Sequence, residues 1–431
     1  MSFVEAIASK RDGDGISREQ VAQFVRGASD DSLPREQLAA MLMAICCRGM
    51  SVEETRWLTE EMLHSGETWD LKSEIPEVVD KHSTGGIGDT VSLILAPLLA
   101  AVGVPVAMMA GRGLGHSQGT LDKLDAIPGW DSSRDRQQTL DLIDRCGAGI
   151  IAQTEDIAPA DRTLYALRDV TGTVPSLPLI VGSIMSKKLA LGAGTLILDV
   201  KWGSGAFRKT VEDAKELAAA LKGVAVETGV KCDALITDMN QPLGPALGTA
   251  CEVRQALAVL VGEGDPGLLE VTVRLCREAM VLQGWDGHDA EHVLREAIDD
   301  GSALAAWERM VEAHGGDPDP DGLARPSQTI EVEAAAQGFL AACDGEDLGR
   351  VAAQVGAGRS RVDEPLAHGA GIIVRAGLGE TITKGQPLAT LLVGEREIDV
   401  EQTVARIRDA FTISPDKVEA PTLVVGTVDE L

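Results

Sequence analysis

Apolar residues recur at three-to-four spacing over residues 3–11, 17–26, 35–47 and 52–65, which predicts four helices at the start of the chain. Ser17 with Gln20, and Ser51 with Glu54, have the spacing of capping boxes at two of their starts. From residue 74 the pattern changes. Short apolar runs at 77–80 and 104–109 read as strands, each followed by a glycine-rich stretch and a helix-like segment, which is the alternation of an α/β domain. Residues 154–195 return to helical sequence. Strand, helix and strand patterns then follow at 195–201, 211–228 and 230–237, and residues 248–314 read as mostly helical. A turn-rich linker at 315–322 leads to short strands and glycine turns over 369–393.

The simplest packing groups the interrupting helices with the first four. The expected fold class is α/β, with a small all-helical lobe (1–70 with 154–195) and a large mixed α/β lobe with a central sheet (71–153 with 196–325). A β-rich C-terminal α+β unit, residues 326–431, is expected to pack with the α/β lobe. The uncharged run 92–111 is long enough for a membrane span, but Pro97, Gly103 and Pro105 interrupt it, so a buried helix, turn and strand are expected there.

Lys and Arg number 39 against 67 Asp and Glu, a formal charge of −28, which excludes a general binder of nucleic acid or anionic membrane. An anionic substrate would need a local cationic pocket. Seven scattered cysteines without metal spacing point to a reducing, cytoplasmic setting. His288 to His292 has the HxxEH form, but its acidic surroundings and lack of a third ligand favour a solvated helix start over zinc.

Candidate chemistry concentrates between Asp80 and Lys123. Two glycine-rich loops, each after a strand, can present backbone N–H groups to an anion, and Lys81, His82, Ser83, Ser92, Arg112, His116 and Thr120 lie in or beside them. Taken alone, such glycines are more often turn formers. Ser183 and Lys187 stand four apart, so on a helix they share a face.

Asp80-Lys-His-Ser-Thr-Gly-Gly86, Gly111-Arg-Gly-Leu-Gly-His116, Ala158-Pro-Ala-Asp161, Tyr165-Ala-Leu-Arg-Asp169, Ser183-Ile-Met-Ser-Lys-Lys188, Asp199-Val-Lys201 and Gly203-Ser-Gly-Ala-Phe207 together resemble the thymidine and pyrimidine-nucleoside phosphorylase family. The resemblance runs through nearly the whole chain. It implies a homodimer through the helical lobe and reversible phosphorolysis of a pyrimidine (2′-deoxy)nucleoside. Phosphate would attack C1′ across a closing interlobe cleft, as co-substrate and with no other cofactor.

By resemblance, Lys81, Ser83, Ser92 and Thr120 hold phosphate. Arg168, Ser183 and Lys187 match base-binding positions, and His82 matches a histidine placed to protonate or hydrogen-bond the base at O2. Leu114, Tyr165, Ile180, Ile184 and Phe207 would wall the base. Glu252 is a candidate for a monovalent-cation site. Three positions depart from the family pattern: Ala110 replaces a phosphate-binding serine, Gln118 replaces a glycine and would either supply a substitute phosphate donor or crowd the pocket, and Trp202 replaces a small valine. The departures admit a member with altered nucleoside or anion preference; a non-catalytic nucleoside-binding paralogue is the remaining alternative.

Overall fold

The computed structural model describes residues 2–113, 118–359 and 364–431. Four helices open the chain: α1 (Phe3–Asp12), α2 (Arg18–Ser29), α3 (Arg35–Arg48) and α4 (Val52–Leu63). Both expected capping boxes form. Gln20 N and Glu54 N donate to the Ser17 and Ser51 hydroxyls at 3.3 and 3.1 Å, and the Gln20 and Glu54 side chains each accept the serine amide at 2.7 Å.

The alternating pattern becomes β1 (Val79–Ser83), α5 (Val91–Ala101), β2 (Val106–Ala110), α6 (Thr120–Leu124), α7 (Arg136–Cys146) and β3 (Ala148–Ala152). Helices α8 (Pro159–Thr171) and α9 (Leu177–Leu191) follow. The chain then returns to β4 (Thr195–Trp202), α10 (Val211–Glu227), β5 (Lys231–Asp238) and β6 (Ala246–Gly248). Four more helices complete this part: α11 (Ala250–Leu260), α12 (Pro266–Leu282), α13 (Gly287–Asp299) and α14 (Ser302–Ala313).

Two compact units result. One comprises Met1–Val78, Gln153–Leu196 and Glu216–Cys232; the other comprises Val79–Ala152, Ile197–Lys215 and Asp233–Leu431. In the first, Phe24, Leu38, Met41, Leu42, Ile45 and Leu58 form a core with Leu164 of α8 and Leu179 of α9. The join is tight at Gly66, where an added Cβ would lie 1.9 Å from the Asp156 carbonyl oxygen.

In the second unit a six-stranded sheet has the order Val424–Thr427, β5, β4, β1, β2, β3, with β2 parallel to both its neighbours. Chain order runs outward from β1 through β2 and β3 on one side, and from β4 to β5 on the other. The β1/β4 boundary is therefore a topological switch point, where ligands of open α/β sheets bind. Helix α5 explains the uncharged run: Val91 through Leu99 are all buried. Pro97 sits inside this helix rather than ending it, and the turn falls at Gly103, whose φ is +80°. No helix among the described residues is long and apolar enough to cross a membrane.

The C-terminal region forms a four-stranded sheet in the order β6, Gly371–Val374, Pro387–Val393, Gln328–Glu333, and a three-stranded sheet in the order Thr381–Ile382, Gly338–Cys343, Phe411–Ser414. Because β6 comes from before α11, a strand pairing ties this module to the α/β unit.

Candidate active site

Lys81, His82 and Ser83 are the last residues of β1, so they project at the switch point from a strand rather than a loop. Alternation puts Lys81 and Ser83 on one side of the strand and His82 on the other. Lys81 Nζ lies 3.2 Å from Ser92 Oγ and 3.6 Å from Asp199 Oδ2, with its side chain fully buried. Ser83 Oγ donates to Asp89 Oδ2 at 2.6 Å and accepts from Gly85 N at 3.2 Å. Gly85 and Gly88 have φ of +91° and +64°, and Gly88 passes so close to the Gly244 carbonyl that a Cβ would meet it at 2.8 Å. Glycine is required there by both conformation and space.

Beneath this strand end is a buried charge cluster. Lys201 Nζ is 2.7 Å from Asp199 Oδ2, and Lys123 Nζ is 2.6 Å from Glu252 Oε2, all four side chains being 0 to 1% exposed. Lys123 Nζ also donates to the Asp89 carbonyl at 2.5 Å, and Thr237 Oγ1 donates to Asp199 Oδ1 at 2.6 Å. Burial alone would push the Asp89 carboxyl up, but Lys201, Lys81, Lys123 and the Ser83 hydroxyl hold it far below the ordinary range. Burial opposes the Lys201 charge too, yet Asp199 and Asp89 lift its pKa above the usual value. Three lysines are thus matched by three carboxylates. Glu252, the cation candidate, is occupied by the Lys123 ammonium.

The second loop begins where β2 ends at Ala110. Asp122 fixes it: Gly113 N and Gly119 N donate to Oδ2 at 2.6 and 3.2 Å. Arg112 pairs with Asp125, and Arg359 pairs with Asp122. Thr120 is half-buried at the start of α6. Gln118 is 7% exposed, and neither its Oε1 nor its Nε2 has a hydrogen-bond partner among the described residues. Leu114 and His116 lie outside the described residues.

In the helical unit, α8 and α9 bring a second set together. Lys187 Nζ donates to Asp161 Oδ2 at 2.5 Å and to Ser183 Oγ at 3.1 Å. Arg168 is buried, with Nη1 and Nη2 donating to the Leu179 and Val174 carbonyls at 2.9 and 2.8 Å, while its Nε has no partner among the described residues. Burial pushes its pKa below the ordinary value, with Asp161 and Tyr165 opposing. The Arg168 guanidinium lies 5.5 Å from the Tyr165 ring centroid, and Tyr165 is 44% exposed. Ile180, Ile184 and Lys187 share the least buried stripe of α9.

The remaining positions sort by unit. Phe207 belongs to the α/β unit, where its ring lies against Gly85: a Cβ added there would be 3.1 Å from the Phe207 ring. Trp202 ends β4 one residue beyond Lys201. His288 and His292 lie on α13 outside its buried face, and the N-cap Asp286 accepts from His288 N and Asp289 N. No cluster of three or more metal-ligating side chains occurs among the described residues. Asp89, Asp161, Lys123, Asp199 and Lys201 lie inside or beside the motifs, yet sequence reasoning gives them no role. For Asp89, Asp199 and Lys201 the available signal is charge in an apolar strand or a glycine-rich stretch, whereas Asp161 and Lys123 lie on α8 and α6 and carry no such signal.

Three family descriptions match the chain: the helical bundle domain of a glycosyl transferase family over residues 4–66, its a/b domain over 75–304, and the pyrimidine nucleoside phosphorylase C-terminal domain over 339–414. The pyrimidine-nucleoside phosphorylase of Geobacillus stearothermophilus is 41% identical over 99% of this chain and 100% of its own length. That of Bacillus subtilis (strain 168) is also 41% identical, over the full length of both. Among solved structures, anthranilate phosphoribosyltransferase from Thermus thermophilus superposes with a TM-score of 0.56 at 18% identity, covering 72% of this chain and 99% of that one. That likeness concerns the fold alone.

Proposed function

This chain belongs to the pyrimidine-nucleoside phosphorylase family, and from that premise we propose that it catalyses the reversible phosphorolysis of a pyrimidine nucleoside, ribo or 2′-deoxy. A phosphate oxygen bonds to C1′ as the C1′–N1 bond breaks. The bonding pair leaves with the base, which takes up a proton, and the pentose is released as its 1-phosphate. The reaction needs a bound anion on one side of the sugar and stabilisation of a developing base anion on the other.

The observation that carries the reading is the Lys187–Ser183 pair, 3.1 Å apart and anchored by Asp161 beside Arg168. A cation and a hydroxyl on one helix face suit the edge of a planar base. In this proposal Arg168, Ser183 and Lys187 grip the base, with Tyr165, Ile180 and Ile184 along its faces. His82 contacts O2. Phosphate is held by Lys81, Ser83, Ser92, Thr120 and Gln118, with first-loop amides assisting. Phe207, packed on Gly85, borders the phosphate side.

We further propose a homodimer through the helical unit. On α3, Ala40, Met43 and Cys47 form an exposed run at helical spacing that a second copy would cover. A reducing compartment suits the free cysteines, of which Cys47 is exposed.

The deciding experiment measures release of uracil or thymine from uridine, thymidine and deoxyuridine, with and without inorganic phosphate. Phosphate-dependent release is the expected result. A folded protein that releases no base from any of the three would overturn the proposal.

A further inference from the structure

The C-terminal module meets the second glycine-rich loop at the Asp122 carboxylate. Arg359, beyond the helix Gly345–Gln354, pairs through Nη1 with Asp122 Oδ1, while its Nε donates to the Glu364 carbonyl at 3.0 Å. Asp122 is 1% exposed, and its other oxygen receives Gly113 N and Gly119 N. The backbone is pressed together here: a Cβ on Gly119 would stand 2.3 Å from Gly113 N. Gln118 and Thr120 flank that contact, and Arg112 Nη1 lies 3.5 Å from the same Oδ1.

We infer that Asp122 and Arg359 are positioning residues for phosphate, and that the C-terminal module acts on the reaction through them. Asp122 Oδ2 holds both stems of the loop, which fixes where Gln118 and Thr120 stand. With only that oxygen engaged, the carboxylate can still turn about its χ2 torsion, which is soft. Arg359, the nearer of the two guanidiniums at Oδ1, restricts that freedom. The Arg359 side chain is 14% exposed and bonds to polar groups, the Asp122 carboxylate and the Glu364 carbonyl, so its loss removes an ion pair at the loop. Gln118, buried with an unpartnered amide among the described residues, is the group whose placement depends most on this brace.

This inference rests on the phosphorolysis reading, and its test separates the two. Arg359→Ala and Arg359→Lys are made in the full-length chain, and KM for phosphate, KM for uridine or thymidine, kcat and the thermal midpoint are measured. Arg359→Ala should raise the phosphate KM about tenfold, the scale of a lost charge-assisted bond, with the nucleoside KM unmoved. Arg359→Lys should recover part of the loss. An unchanged phosphate KM overturns the inference. So does a parallel rise in both KM values with a fallen midpoint that lysine does not correct. If the alanine variant does not fold, Arg359→Lys and Arg359→Gln carry the comparison, with glutamine expected to be the weaker for phosphate. If the unaltered protein releases no base, the phosphorolysis reading fails. Calorimetric titration of inorganic phosphate then decides the inference alone: weaker binding by the variant supports it, and equal binding or none by either overturns it.

Discussion

The two sets of candidate residues treat their cations in opposite ways. In the helical unit Lys187 is 27% exposed at its side chain and shares one carboxylate, while Arg168 keeps an unpartnered Nε among the described residues. In the α/β unit Lys81, Lys123 and Lys201 are fully buried or nearly so, each within 3.6 Å of a carboxylate. The difference separates two uses of charge. In the proposed function the helical set offers its charge to the developing base anion. The α/β set balances its charge against its own carboxylates, and in the proposed function Lys81 acts on the anion together with the hydroxyls and backbone amides at the β1 and β2 ends.

Breaking the scaffold should have the largest effect. Lys201→Met leaves Asp199 buried beside Lys81 alone, and should cost about 3 to 5 kcal/mol of stability, read as a fallen urea midpoint. A midpoint equal to that of the unaltered protein would show that the cluster does not need its charge balance. On the other side, Lys187→Gln keeps a donor for Asp161, so the fold should hold while kcat falls about 100- to 1,000-fold, the range seen when a group stabilising developing charge is removed. A loss confined to KM would move Lys187 from transition-state stabilisation to simple binding.

Acid should also tell the units apart. His314 in the α/β unit stacks on Trp130 at 3.9 Å, lies 2.9 Å from the Asp131 carbonyl through Nδ1, and accepts Ile150 N. Burial lowers its pKa from 6.5 to about 4, against the opposing pull of Asp131. The folded protein therefore binds fewer protons than the unfolded chain within that window. The stability is fully present above 6.5 and lost as pH falls to about 4, some 3 kcal/mol in all at about 1.36 kcal/mol per unit. In the helical unit burial would raise the Glu54 pKa, but the Ile16 and Ser51 amides and Lys10 hold it below 4.5, so that contribution is lost only at lower pH. Thermal midpoints between pH 7 and 4 should fall, and His314→Gln should flatten the slope.

The smallest expected effect concerns the second loop. Ala110→Ser should lower the phosphate KM by up to about tenfold by adding one hydrogen bond to a charged group. An unchanged KM would mean that Gln118 already supplies that contact.

Much of this is legible in the chain itself. Two capping boxes, the switch from helical to α/β patterning, and the order of the motifs follow from local spacing and residue type. Pro97 reads as a breaker and is not one, because its place within a helix depends on the packing that encloses α5. The acidic partners are less legible. Asp199 reaches Lys81 from far along the chain because β4 pairs beside β1, and no periodicity states the order of strands in a sheet. The 237-residue separation between Asp122 and Arg359 is spanned in the same way, by packing of the C-terminal module.

Sequence alone determined the families of elements, their caps, and which residue types stand at the strand ends and on the α8 and α9 faces. Those are properties of neighbours along the chain. Tertiary structure decided which carboxylate neutralises which ammonium, and so which cations remain to meet a ligand. Desolvation makes a buried charge costly unless a partner is within a few ångströms, and only folding fixes that distance.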